Sequence, residues 1–250
     1  MRRTAVLALA VMLGFACDAD AEPPAGPFRL MTYNLEFDNP NPRATLDAIA
    51  AADPDVALFQ EVTPAWRDAL VDRLGARYPY RAFYPGRAGG IGMLSKLPIA
   101  SEEKLPPVDW FPAQRVTVTT SFGPVQILNV HLRPQIERGS WVRGYLTTPP
   151  IRRREIEAHY KRLATGTATI IAGDFNEDPN GSAVAFVAKQ GLTRVVPQGL
   201  PTWHYATGKL DVLTLDIDHV MVSGVIARDA RVLDAGTSDH RPVVVTIAPR

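Results

Sequence analysis

The chain is short of cysteine, of net charge and of long apolar runs, and each shortage closes off a class of protein. Its 250 residues hold a single cysteine, Cys17, so no disulfide framework holds the fold together. Lys and Arg number 27 against 26 Asp and Glu, a formal net charge of +1. That balance argues against a protein held to nucleic acid by a broad basic surface, while leaving nucleic acid open as a transient substrate. The apolar run from Ala5 to Ala16 is too short for a permanent membrane-spanning helix. No exact repeat or low-complexity tract is present, and the length suits one domain with one substantial core.

That early run reads instead as an export signal. Arg2 and Arg3 precede it, and Ala19-Asp20-Ala21 follows as an A-x-A cleavage site before Glu22. Residues 1–21 are therefore expected to be a signal peptide, 22–27 a Pro-rich leader and 28–250 the folded domain, in a periplasmic or secreted protein. A lipoprotein signal ending at Cys17 is the rival reading. It is the weaker one, because Gly14-Phe15-Ala16-Cys17 lacks the leucine usual three residues before a lipidated cysteine.

The stretch around which the rest is organised is Ala168-Thr169-Ile170-Ile171-Ala172-Gly173-Asp174-Phe175-Asn176. An apolar, β-branched run reads as a buried strand, and this one ends by presenting a carboxylate and a carboxamide. If the extended geometry persists, Asp174 and Asn176 share a face, a pairing suited to an attacking water beside a phosphate oxygen. The competing reading is an Asx turn that opens the next helix.

Other strands end in the same way. Phe28 to Asn34 closes on an amide, Asp55 to Glu61 on a carboxylate, and Val125 to Leu132 delivers His131. Asn41-Pro42 and Thr63-Pro64 open helices after the first two strands, the second with Trp66, Leu70 and Leu74 at i, i+4 and i+8. Short strands joined by Gly and Pro turns are expected between Tyr80 and Leu132. Residues 133–150 read as a polar loop carrying Arg133, Trp141, Arg143 and Tyr145, a composition that suits either a phosphate-bearing substrate or a solvated surface. Ile151 to Ala164 reads as a basic helix with Arg152-Arg153-Arg154 on a solvated face, and Ser182 to Lys189 as a short helix. Thr202-Trp203 falls in a turn-rich region. Asp218 and His219 face opposite sides of a strand, His219 toward the core with Ile217 and Met221, and Asp216 shares Asp218's face. Asp239 and His240 open the closing strand.

If these strand ends meet at one rim, four carboxylates (Glu61, Asp174, Asp218 and Asp239) gather there with Asn34, Asn176, His131 and His240. So many acids cannot all stay ionised close together without a cation, which implies a divalent metal.

In family order, Thr32-Tyr33-Asn34, Gln60-Glu61, Ser95-Lys96-Leu97-Pro98-Ile99, Asn129-Val130-His131-Leu132, Gly173-Asp174-Phe175-Asn176, Ile217-Asp218-His219 and Ser238-Asp239-His240-Arg241-Pro242 resemble the motifs of the endonuclease/exonuclease/phosphatase (deoxyribonuclease I-like) superfamily. The resemblance implies a four-layer α/β sandwich, two packed mixed sheets flanked by helices. It implies a metal-dependent hydrolase of phosphodiester bonds, a nuclease first and a sphingomyelinase-like or small-molecule phosphoesterase second, with a non-catalytic binding protein as a third reading. Glu61, Asn34 and Asp239 would lie at the metal, Mg2+ with Mn2+ or Ca2+ as alternatives. Asp174 would orient or activate the attacking water, Asn176 would hold the water or the phosphate, and His240, oriented by Asp218, would act on the phosphate or the nucleophile. His131 matches the deoxyribonuclease I and sphingomyelinase branches, where it would protonate the leaving oxygen or stabilise the extra charge on phosphorus. Arg133, Trp141, Arg143, Tyr145 and Trp203 are the candidate substrate contacts, the substrate being nucleic acid or a phospholipid headgroup. No stable protein partner is implied, and a monomer is expected.

Overall fold

Local sequence sets the first crossover. Phe28–Asn34 (β1) leads into Pro42–Ala52 (α1), which starts with proline in its first turn and ends where Asp53 turns left-handed at φ 44°. Val56–Gln60 (β2) then returns parallel to β1, as a helical crossover requires. The helix Pro64–Leu74 (α2) follows, capped by the Thr63 side chain, which accepts from the Trp66 backbone N–H at 3.1 Å.

The remaining elements are Tyr80–Tyr84 (β3), Ile91–Ser95 (β4), Ile99–Leu105 (β5), Ala113–Thr120 (β6), Gly123–His131 (β7), Trp141–Thr147 (α3), Pro149–Tyr160 (α4), Ala168–Asp174 (β8), Ser182–Lys189 (α5), Thr193–Arg194 (β9), Trp203–Thr207 (β10), Leu210–Leu215 (β11), Asp218–Ser223 (β12), Val225–Val232 (β13) and Val243–Pro249 (β14). This computed structural model describes residues 26–196, 201–207 and 210–250, without the side chains of residues 141, 206, 207 and 210–212. The expected signal peptide, Cys17 and most of the Pro-rich leader lie outside the described residues. Among the described residues no helix is long and apolar enough to cross a membrane.

Two six-stranded sheets result, in the orders β13-β14-β1-β2-β4-β3 and β5-β6-β7-β8-β12-β9. Each is antiparallel except for one central pair, β1 with β2 and β7 with β8. Strand alternation decides the layers. In β1, Leu30 joins Val56, Leu58, Val125, Ile127 and Ile170 between the sheets, whereas Met31 and Tyr33 face outward onto Ile49, Leu70 and Leu74 of the helices. On the far side Leu128, Val130 and Ile171 pack against Ile156, Val184 and Val187. The outcome is the two-sheet α/β sandwich that the sequence led us to expect.

The inter-sheet layer turns polar toward one end. Gln60 Nε2 donates to Asn129 Oδ1 at 2.7 Å, and Asn129 Nδ2 donates to the carbonyls of Phe59 and Gly92. Buried amides with several partners tie the sheets together in a fixed relation.

Several expectations need correction. The supposed polar loop 133–150 contains α3, and the basic helix begins at Pro149 and ends at Tyr160 rather than Ala164. Arg152 is only 2% exposed and pairs with Glu177 at 3.1 Å, so it does not share the solvated face assigned to its neighbours. Strands β9, β10, β11 and β13 were not legible. β13 is a half-exposed edge strand whose weak polar alternation gives little contrast, and β10 with β11 forms a separate two-stranded ribbon.

Candidate active site

The carboxyl ends of the two parallel pairs converge. Asn34 ends β1, Glu61 follows β2, His131 ends β7 and Asp174 ends β8. In register, His131 lies opposite Asp174, which lies opposite Asp218 on β12, so three functional side chains cross adjacent strands in one row. The two sheets meet where Asn34 Nδ2 donates to Asp174 Oδ2 at 3.1 Å.

Asp174 Oδ2 is the focus. His131 Nε2 lies 3.4 Å from it and His240 Nε2 3.7 Å, while His240 Nδ1 contacts Asp218 Oδ2 at 2.8 Å. The backbone N–H groups of Ile217 and Asp218 donate to Thr202 Oγ1, which fixes the start of β12. His240 is held in turn by Ser238, whose Oγ accepts the His240 N–H and donates to the Asn34 carbonyl.

The other oxygen of Asp174 accepts the Asn176 backbone N–H at 2.8 Å. This is an Asx turn, and it swings Asn176 into the left-handed region at φ 52°. The expected extended geometry therefore stops at Asp174. Asn176 Nδ2 donates to the Leu132 carbonyl at 3.0 Å instead of standing beside the carboxylate. Glu36 (φ 58°) and Glu61 (φ 60°) are also left-handed, so uncommon backbone conformations gather around the cleft.

A second acidic group borders the first. Glu61 Oε1 is 4.0 Å from His131 Nε2, and its Oε2 accepts the Phe37 N–H at 2.9 Å. Glu36 Oε2 accepts the Asp239 N–H at 3.1 Å, and Asp239 Oδ2 accepts from Trp203 Nε1 at 2.8 Å.

Burial sets the protonation states. It opposes a charged His240, but Asp218 and Asp174 outweigh it and hold the imidazole up at about 10, as an imidazolium. His131 is pushed down to about 3 by burial and by the charge on His240. Its Nδ1 faces the Ala88 carbonyl at 3.1 Å, an acceptor only, so Nδ1 carries the proton and Nε2 offers its lone pair to the cleft. Burial raises Asp174 and Glu61, and burial with Asp239 nearby raises Glu36 to about 7.

Ligand atoms of Asp174, Asp218 and His240 lie within 4.8 Å of one another. His240 already supplies a positive charge there, so that trio is better suited to proton handling than to a cation. Glu36, Glu61 and Asp239 repel one another across the neighbouring space. With the Asn34 amide they are oxygen donors of the kind a hard divalent cation takes, and a cation beside them would oppose the burial-driven rise of both glutamates.

The candidate substrate contacts scatter. Arg133 borders the cleft, with Nη2 on Glu137 at 3.0 Å and its guanidinium 3.5 Å over the Trp110 ring. Tyr145 is exposed on α3, where it lines a groove of about 370 Å³ with Val142, Leu146 and Leu213. Arg143 is exposed on the same helix. The Trp141 side chain lies outside the described residues. Trp203 is corrected from substrate contact to support, since its ring is buried and its N–H is given to Asp239. Asp216 pairs with Arg194 at 2.6 Å, and His219 is buried on the Glu177 carbonyl and the Phe175 ring.

Sequence reasoning missed Glu36, Gln135, Trp110 and Phe111. Gln135 donates to the Asn176 carbonyl at 2.8 Å, and the Phe111 ring centroid is 4.4 Å from that of His131. Glu36 stands two residues beyond Asn34, and the aromatic pair sits between Pro107 and Pro112, where the local pattern signals only a turn.

Comparison with known proteins agrees with this architecture. The Endonuclease/Exonuclease/phosphatase family profile matches residues 31–240. Among solved structures, an endonuclease/exonuclease/phosphatase from Beutenbergia cavernae DSM 12333 superposes with a TM-score of 0.70 at 20% identity, covering 90% of this chain and 72% of that one. Humanized D. rerio TDP2 gives 0.69 at 18% identity over 88% and 98% of the two chains. Sphingomyelinase C from Streptomyces griseocarneus gives 0.63 at 18% identity over 88% and 99%. No curated protein matches the chain at a significant level. A profile spanning most of the sequence, on a two-sheet sandwich with its acids and histidines at one rim, leads to one conclusion: the chain belongs to the endonuclease/exonuclease/phosphatase family.

Proposed function

We propose that the chain is an exported, divalent-metal-dependent phosphodiesterase whose favoured substrate is DNA or RNA. The observation that carries this reading is the convergence of Asn34, His131 and His240 on Asp174 Oδ2, with His240 backed by Asp218. Export rests on Arg2, Arg3, the apolar run and the Ala19–Ala21 site.

Phosphodiester hydrolysis needs an in-line water, charge neutralised on phosphorus and a proton for the leaving oxygen. Asp174 is placed to orient and deprotonate the water, with the Asn34 amide holding its carboxylate. His240, kept charged by Asp218, donates to a non-bridging oxygen and stabilises the charge that develops there. The lone pair of His131 Nε2, 3.4 Å from Asp174 Oδ2, would take the proton that Asp174 removes from the water and return it to the leaving ester oxygen. Asn34, Glu36, Glu61 and Asp239 would hold Mg2+, or Mn2+ or Ca2+ in its place. When bound, the cation neutralises charge on the phosphate oxygens.

A second reading has its own observation. The groove between α3 and the β10–β11 ribbon exposes Val142, Tyr145, Leu146 and Leu213, apolar surface of the kind a lipid-borne phosphodiester would cover. One experiment separates the two. The mature protein is incubated with supercoiled plasmid and Mg2+, with and without EDTA, beside Asp174→Ala and His240→Ala, and in parallel with sphingomyelin vesicles. Nicking abolished by EDTA and by either substitution supports the nuclease. Vesicle hydrolysis without nicking transfers the site to lipid headgroups, and no activity on either sinks both.

A further inference from the structure

A small apolar alcove opens directly beside His131. Ala88, Trp110, Phe111, Pro134 and Ile136 line it, with a volume of about 340 Å³. Its floor is continuous with the active site, because Phe111 packs on the His131 ring and the Ala88 carbonyl binds His131 Nδ1. Any phosphate held against His131 and Asp174 therefore has this alcove within reach of one of its ester arms.

Two features specify the occupant. Trp110 is 47% exposed although it is a large aromatic, with Phe111 edge-on at 5.9 Å and the Arg133 guanidinium stacked 3.5 Å from its ring centroid. Such a stack of planar groups is completed by another planar ring. Arg133 and Arg138 also line the space, and their charges oppose a quaternary ammonium headgroup while favouring the carbonyl and ring-nitrogen acceptors of a heteroaromatic base.

We infer that the alcove of Trp110 and Phe111 is a base-binding subsite, which takes the planar heteroaromatic ring of a nucleotide esterified to the scissile phosphate. This deepens the phosphodiesterase reading by naming the substrate class, and it rests on that reading for the place of the phosphate.

The test is calorimetric titration in Mg2+ with adenosine 5′-monophosphate, ribose 5-phosphate and octyl phosphate. The wild-type protein binds the nucleotide about tenfold more tightly than the sugar phosphate, the scale of one stacked base. Trp110→Ala removes that preference and leaves ribose 5-phosphate binding unchanged, and Trp110→Phe keeps most of it. Ile136→Trp, which fills the alcove and leaves Trp110 in place, removes the preference as well. Equal wild-type affinities for nucleotide and sugar phosphate overturn the inference, and so does tighter binding of octyl phosphate. A nucleotide preference unaffected by Trp110→Ala and Ile136→Trp overturns it too. Turnover of bis(p-nitrophenyl) phosphate in the same preparations is read separately. Its absence refutes the phosphodiesterase while the base preference stands or falls on the titrations.

Discussion

Replacing Asp218 by asparagine tests the reading of the site most directly. The carboxylate contacts His240 Nδ1 at 2.8 Å, and both side chains are buried, so solvent does little to screen the pair. The amide is nearly isosteric and its oxygen can still accept from Nδ1. What is lost is the charge that, with Asp174, outweighs burial and keeps His240 protonated. A general acid or charge-stabilising imidazole contributes roughly 10²–10⁴ in rate, and loss of the carboxylate that orients such an imidazole lies toward the upper end of that range. In barrier terms this is about 3–5 kcal/mol. The sign of the pH effect follows. Activity that needs imidazolium is lost as pH rises through the His240 pKa, so a lower pKa moves the alkaline limb to lower pH. The assay is steady-state hydrolysis of bis(p-nitrophenyl) phosphate in Mg2+ from about pH 5 to about pH 10. A melting curve runs beside it, because Asp218 Oδ1 has no hydrogen-bond partner among the described residues and an amide nitrogen placed there would be unsatisfied. A folded Asp218→Asn protein that keeps more than about a tenth of wild-type kcat/KM with an unmoved alkaline limb refutes the argument.

Three further outcomes concern stability. Gly173 sits at φ 138° with its α-carbon against the Val130 backbone, where a β-carbon would overlap the carbonyl oxygen; Gly173→Ala should cost at least about 2 kcal/mol by urea unfolding, and a change under about 0.5 kcal/mol would contradict the packing. Arg152→Met strands the buried carboxylate of Glu177, which also caps α5 through the Val184 N–H. A loss of about 3–5 kcal/mol is expected, partly recovered in Arg152→Met/Glu177→Leu, and a double variant less stable than the single would count against the pair. Burial holds buried His159 down at about 4. Between about pH 6.5 and about pH 4 the unfolded chain takes up a proton there that the folded chain refuses, so stability falls with falling pH by up to about 1.4 kcal/mol per pH unit. His159→Leu should remove that component. Because Glu36 and Glu155 titrate in both proteins, the wild-type-minus-variant difference isolates it, and identical slopes would refute the assignment.

The sequence by itself determined the central strands, four of the five helices and the chemistry at the strand ends. Alternation in Phe28–Asn34 and the apolar run into Asp174 are local patterns, since side-chain direction in a strand depends on parity alone. Pro42, Pro64 and Thr63 mark helix starts by equally local hydrogen-bonding rules. The chain order of Asn34, Glu61, His131, Asp174, Asp218 and His240 could therefore be read as one site before any fold was known, with the family motifs supplying the grouping.

Only the tertiary structure decided what meets what. That His131, Asp174 and Asp218 form one row depends on the register of β7, β8 and β12, strands far apart in sequence. Arg152 looked like its neighbours until Glu177 was folded against it, and Trp203 turned from a candidate substrate contact into the donor that holds Asp239. Asn176 left the face of Asp174 because a local Asx turn competed with the strand, a contest settled only once Leu132 offered its carbonyl. Trp110 and Phe111 gained a role only when packing set them beside His131. Periodicity records which side of an element is apolar, whereas partnership across elements is fixed by long-range packing and burial, which no local pattern carries.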